Sequence, residues 1–177
     1  MSTLKVNEIQ NTSGGSTITN VGKVLQIVSA TKTDSASGLS TSTPTDITGL
    51  SVNITPSSAS NKVWIVFSVS VAVDASYGGQ GILLVRDSTQ ICLADAEGNR
   101  GRNTIKAVGG GGNHYYQQAL GQNFLDSPST TSQVTYKLQH VDPSTDNTIY
   151  INRNQNNGND AGYSRSTSTI TALEIAA

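Results

Sequence analysis

Residues 62–73 read Lys-Val-Trp-Ile-Val-Phe-Ser-Val-Ser-Val-Ala-Val, and this run constrains the fold more than any other. Val63, Ile65, Phe67, Val69, Val71 and Val73 fall on one side of an extended chain, and Trp64, Val66, Ser68, Ser70 and Ala72 on the other. A period of two is the mark of a β-strand with one core face. Six apolar side chains on one face demand a second layer to cover them. The opposite face is apolar at its start and small and polar later. Its apolar end is suited to lie against a neighbouring subunit.

The same rule recurs along the chain. Val24 to Thr33 predicts a strand. Leu50, Val52 and Ile54 alternate with Ser51 and Asn53 until Pro56 ends the run. Ile82–Val85 and Thr89–Ala94 flank Arg86-Asp87-Ser88, a hairpin turn by composition. Asn123–Asp126, the alternating Val134–Gln139, Thr148–Asn152 and Thr169–Ala176 complete the set. Nine or ten strands and no helix follow, spaced by turn signals as in a sandwich or barrel. No repeat of solenoid or propeller length occurs. Ser, Thr and Asn make up a third of the 177 residues and charged residues only 13%. Thr, Val and Ile suit a pleated surface. Cys92, in the apolar stretch Gln90–Ala94, is the single cysteine, so no intrachain disulfide forms, and a packed small hydrophobe is expected.

Two regions are expected. Residues 23–177 carry the sandwich. Residues 1–22 are short alternating pieces around Asn-Thr-Ser-Gly-Gly, where Leu4, Val6 and Ile9 are too few to build a core. This segment is either a frayed tail or, as preferred, an attachment and trimerising arm, with those three residues as candidate virion-attachment contacts. A net charge of −1 argues against nucleic-acid binding. No apolar run is long enough to span a membrane, and the first residues lack a signal-peptide pattern. A protein made in a cytoplasm yet bearing an extracellular-looking surface fits a virus particle, as it would other exported proteins without a leader.

Several blocks resemble tail-fibre-type proteins of marine phages, notably those infecting cyanobacteria. They are Leu4-Lys-Val-Asn-Glu-Ile, the stretch Asp46–Val63, Leu84-Val-Arg-Asp-Ser-Thr-Gln-Ile, Asn123-Phe-Leu-Asp-Ser-Pro-Ser-Thr-Thr and Ser168–Ala177. The strand pattern also resembles the trimeric jelly roll of tumour-necrosis-factor and complement globular-head domains, in which the long central strands face a three-fold axis. The resemblance implies an all-β, antiparallel, jelly-roll-like sandwich acting as a homotrimer. It also implies a location in the phage tail or fibre and other virion proteins as partners; the chain departs from that family in its 177 residues, which lead to the expectation of a short fibre, a knob or an adaptor rather than a long shaft.

The residues offer little catalytic chemistry. No nucleophile elbow or His-Glu-x-x-His pair is present, and Gly109–Gly112 lacks the lysine and helix of a phosphate loop. Asp95, Glu97 and Asp126 are the acids to weigh for a polysaccharide-degrading tailspike. Turn and strand-end roles explain them, so no enzyme, cofactor or metal is expected. Asn152–Asp160 is oxygen-rich but has one carboxylate where calcium loops use several. His140 reads as a strand-end or interface histidine; His114 is either a loop surface residue or a ligand contact. Tyr77, Tyr115, Tyr116 and Tyr163, with Arg100, Arg102, Arg153 and Arg165, sit among polar or glycine neighbours. With His114 they are the candidate receptor-binding residues, suited to host surface glycan; the competing reading of the arginines is pairing across subunits or with nearby acids. Three copies of a weak site gain by effective concentration. The alternative expectation is an architectural connector or decoration protein that binds no cell.

Overall fold

The structure is a computed structural model that describes residues 22–38, 42–74, 79–142 and 147–177. Leu4, Val6 and Ile9 of the expected arm, and Tyr77, lie outside the described residues. The chain is all-β: eleven strands and no helix among the described residues. They are β1 (Val24–Lys32), β2 (Ala36–Gly38), β3 (Thr45–Ile54), β4 (Lys62–Val73), β5 (Gly81–Arg86), β6 (Thr89–Ile91), β7 (Ile105–Lys106), β8 (Gln118–Asp126), β9 (Val134–Val141), β10 (Ile149–Ile151) and β11 (Ser168–Ile175).

These strands form two antiparallel sheets. In the first, β4 is the hub. Its edge toward β11 pairs Lys62–Ser68 with that strand, and Val71–Val73 with β10. Its other edge carries β8 from Val63 to Val71. Beyond β11 lies β1, and beyond β10 lies β2. The second sheet runs β3-β9-β5-β6, with β7 also on β5. From β3 to β5 the chain changes sheet at each strand, and β8, β9 and β10 alternate in the same way.

The alternation read in residues 62–73 holds. Val63, Ile65, Phe67, Val69, Val71 and Val73 are all buried, and they pack with Ile170 and Ala172 of β11 on one side. Leu50, Val52 and Ile54 of β3, Ile82 and Leu84 of β5, and Val134, Tyr136 and Leu138 of β9 face them from the second sheet. On the outer face of β4, Ser70 and Ala72 are buried as well, whereas Trp64 and Val66 stay exposed.

Two polar clusters fasten this core. Asp126, at the end of β8, is 6% exposed. It accepts two hydrogen bonds from Arg86 Nη1 at 3.0 and 2.8 Å and one from the Tyr136 hydroxyl at 2.6 Å. One carboxylate of the first sheet is thereby tied to two strands of the second. The buried charge is paired and hydrogen-bonded, as burial requires. The other cluster surrounds Glu174 of β11, which is 1% exposed. It accepts from Asn61 Nδ2 at 2.6 Å, from Gln26 Nε2 at 2.7 Å, and from the backbone N–H and hydroxyl of Ser57, both at 2.7 Å. The β3–β4 turn is thus anchored to β11.

Several expectations shift. The strands number eleven rather than nine or ten, because the short strands β2 and β7 carry no alternating apolar pattern. Cys92 lies past the end of β6, at a positive φ of 56°, instead of inside a strand. It still packs against the core, and burial pushes its thiol pKa up. β3 begins at Thr45, and its pairing with β9 shifts register between Asp46 and Ser51. Gly49 falls within that irregularity at a φ of 88°, a conformation that suits glycine.

Burial of Glu174 opposes its ionisation, yet the hydrogen bonds from Asn61, Gln26 and Ser57 outweigh it and bring its pKa to about 2. A depressed carboxylate contributes stability that is complete above the unfolded value of 4.5 and lost as pH falls from there toward 2. The contribution is on the order of 3 kcal/mol. Denaturant titrations across that pH range are expected to show this loss, and Glu174→Gln to flatten the slope.

Candidate functional site

The sequence points to polar loops, and the structure gathers some of them at one place. The segment after β10, residues 152–166, folds against residues 109–117, which lead into β8. Asn154 is the buried pin. Its Nδ2 donates to the carbonyl of Tyr115, and its Oδ1 accepts the backbone N–H of Ser164. Asn152 is equally buried, with a φ of 59°. Its Nδ2 donates to the carbonyls of Lys32 and Asp34, and its Oδ1 accepts from Ser168. These two asparagines hold the base of the loop to the sandwich. Asparagine suits the task because one side chain both donates and accepts.

On this base the aromatic residues meet. Tyr115 and Tyr163 stack with ring centroids 4.9 Å apart and planes 12° from parallel. Gly162 sits beside the Tyr115 ring, where a β-carbon would be 2.8 Å from Cε1. Asn156 Nδ2 donates to the Tyr163 hydroxyl at 3.0 Å. The Tyr163 hydroxyl and the Asp160 charge hold the Tyr115 phenol pKa above its ordinary value. His114 Nδ1 and Gln155 Oε1 are 2.9 Å apart, which joins the two segments again. Arg153 lies over the Tyr150 ring at 4.4 Å, a cation–π contact, and donates to the carbonyls of Asn154 and Gln155. Arg165 donates to Asn157 Oδ1 and pairs by a β-bridge with Arg153. A polar hollow of about 190 Å3 lies among Asn157, Asn159, Asp160, Tyr163, Ser164 and Arg165.

Five of the nine candidate receptor residues therefore form one cluster: His114, Tyr115, Arg153, Tyr163 and Arg165. Tyr116 adjoins it, its ring beside Gly110, where a β-carbon would be 2.5 Å from Tyr116 Cβ. Arg100 and Arg102 do not join. Arg100 pairs with Glu97 at 2.7 Å, and Arg102 Nε donates to the Ala94 carbonyl, both within the loop before β7. Arg153 and Arg165 donate to carbonyl and amide oxygens of the loop itself, and neither pairs with an acid among the described residues. Tyr150, Asn154 and Gln155 were missed by reading the sequence. Only the density of Asn and Gln in residues 152–159 signalled them. Among the acids weighed for catalysis, Asp95 and Glu97 are exposed in a loop, while Asp126 is committed to the link between sheets.

A second feature is a surface. The cross-strand register lines up Ile27 of β1, Leu173 of β11, Trp64 of β4 and Leu125 of β8 on the outer face of the first sheet. Ile27 is 61% exposed, Leu125 56% and Trp64 41%. Val24, Ile175 and Val66 flank the row, and a hollow of about 330 Å3 opens among Gly22, Val24, Trp64, Leu125 and Ile175. Lys62 is the one charged residue of this face among the described pairs, and it donates to Ser127 Oγ at the margin.

No protein-family model matches the sequence, and no curated protein does. Solved structures of infectious bursal disease virus overlap it. The structure of the Gt strain matches at 12% identity and a TM-score of 0.41, over 100% of this chain and 43% of that one. The Gx strain matches at 11% and 0.42, and the VP2 subviral particle at 13% and 0.38. The chain spans less than half the length of each.

Replacing Tyr163 by Phe removes the hydroxyl beside Tyr115 and keeps the stack. A spectroscopic phenol titration is expected to show Tyr115 moving down toward its ordinary value. Arg153→Ala is expected to cost about 0.5–1 kcal/mol through the cation–π contact, read by thermal denaturation against Arg100→Ala, which costs nothing measurable.

Proposed function

We propose that this chain is a non-enzymatic virion structural protein, a short fibre or knob subunit with a jelly-roll sandwich that assembles as a homotrimer. The observation that carries this reading is the row Ile27–Leu173–Trp64–Leu125. It is a solvent-facing apolar band across four strands, and contiguous apolar patches of this kind mark association sites. Charges set like against like would oppose self-association. Here the rows beyond the band are Ser29, Thr171, Val66 and Asn123, then Thr31, Thr169, Ser68 and Gly121, all uncharged.

Four strands at about 4.8 Å spacing and ten residues at about 3.3 Å give a face of roughly 600 Å2 in projection. That approaches the roughly 800 Å2 per partner of a stable interface. Assembly in threes follows from the resemblance to trimeric jelly rolls, in which the long central strands face the axis. β4 is that strand here. Gly22 anchors the root of the N-terminal arm at this end, its N–H bonded to the Ala176 carbonyl at 2.9 Å. The arm would then attach the knob to the particle.

The cluster of His114, Tyr115, Arg153, Tyr163 and Arg165 supplies the contact with the host surface in this reading. Stacked tyrosines and amide-rich loops suit glycan, and three weak sites act together.

Mass measurement in solution is the deciding experiment. A trimer is expected at micromolar concentration, and Trp64→Glu or Leu125→Glu is expected to yield folded monomer. A wild-type chain that stays monomeric ends this reading. For the host contact, purified trimer is expected to block adsorption. The double variant Tyr115→Ala/Tyr163→Ala is expected to remain trimeric and lose the block.

A further inference from the structure

The strand β9 places His140 between the sheets, 4% exposed, at a cleft that the recognition loops and the apolar band do not use. The cleft has a volume of about 470 Å3. Its walls come from β2 (residues 36–38), β3 (residues 45–48) and β10 (Ile149, Ile151), with His140 as the imidazole at one side; Asp46 is among them, its carboxylate engaged by Lys137 and Gln139. Small-molecule sites have this character: hundreds of cubic ångströms, apolar walls and few polar groups.

The protonation of the ring follows from its neighbours. Gln80 is fully buried, and its Nε2 donates to the carbonyl of Asn147. A carbonyl only accepts, so the amide nitrogen of Gln80 is fixed at that end. Its Oε1 therefore faces His140 Nδ1, 3.2 Å away. Since Oε1 only accepts, Nδ1 carries the hydrogen. In the neutral ring Nε2 is then a lone-pair acceptor. Burial lowers the His140 pKa, which favours this neutral form. Among the described residues Nε2 has no hydrogen-bonding partner, while no fully buried side-chain nitrogen or oxygen is left unpaired. Nε2 thus keeps its opening to the cleft. Gly38 preserves that opening: a β-carbon there would stand 2.7 Å from Nε2 and 2.8 Å from Cε1.

We propose that this cleft binds a small apolar molecule bearing one hydroxyl, a phenol or an alcohol, whose O–H donates to His140 Nε2. The acceptor selects a donor head, and Ile47, Ile149 and Ile151 take the apolar body. A carboxylate fits poorly, because it would lose its hydration among isoleucines and meet an acceptor instead of a donor. The inference does not depend on the proposed virion role.

The test titrates p-cresol and toluene separately into the ¹⁵N-labelled full chain, following the His140 Nε2 resonance and the amides of Gly38 and Ile149. Cresol is expected to shift all three. Toluene is expected to bind about tenfold more weakly, the order of one buried hydrogen bond. In His140→Leu the two affinities are expected to become equal, and in Ile149→Phe, which fills the cleft, both probes are expected to lose binding. Where His140→Leu fails to fold, Gly38→Ala serves, since its methyl stands against Nε2 and removes the cresol preference. The proposal is overturned if neither probe moves these resonances. It is overturned equally if cresol and toluene titrate alike in the wild type, or if Ile149→Phe binds both unchanged.

Discussion

Everything in this sandwich is arranged around one strand whose two edges and two faces are all in use. β4 gives one edge to β8 and divides the other between β11 and β10. Its inner face supplies six residues to the core, and its outer face supplies Trp64 and Val66 to the surface. Because side chains alternate, slipping this strand by one residue would bury Trp64 and Ser68 and expose Ile65 and Phe67. Register is therefore strongly specified, and the apolar band is placed by the same alternation that builds the core.

Hydrophobic packing between two sheets is not directional by itself. Direction comes from the few buried polar side chains. Asp126 requires β5, β8 and β9 to stand in one relation, since Arg86 and Tyr136 must both reach its oxygens. Glu174 fixes the β3–β4 turn and β1 against β11 in the same manner. Asn152 does so for β1 and the segment after β10. Each is costly to bury alone and inexpensive once bonded, so each selects against rearranged packings.

Legibility in the sequence followed burial. β9 shows clean alternation because one face is apolar and the neighbouring positions are not, β4 is marked by six apolar residues at every second position, and β5, buried on both faces, stands out as the continuous apolar run Ile82–Val85. β2 and the start of β3 were hidden in a Ser/Thr-rich stretch. Ala36–Gly38 is held by pairing with β10 and by the fit of Gly38 against an imidazole, neither of which leaves a periodic trace. Only the last four residues of β8 were read as strand. Gln118–Gln122 carry few apolar side chains because this edge strand is largely exposed. The Tyr- and Arg-bearing loops stand out by residue type, yet only the fold separates Arg100 and Arg102 from the Tyr115–Tyr163 cluster. The His140 cleft was invisible, since it depends on three strands converging and on the direction of one amide.

The position of β11 bears on how such a chain is made. It is the last strand of the sandwich, yet it lies between β1 and β4, the first and fourth. A nascent chain emerging from the ribosome therefore holds one edge of β4 open until β11 is synthesised. Glu174 also reaches Asn61 across 113 residues, and pairings this distant are slow to form. A product stopped before β11 lacks Leu173 and Ile175 as well, and so lacks the middle of the apolar band.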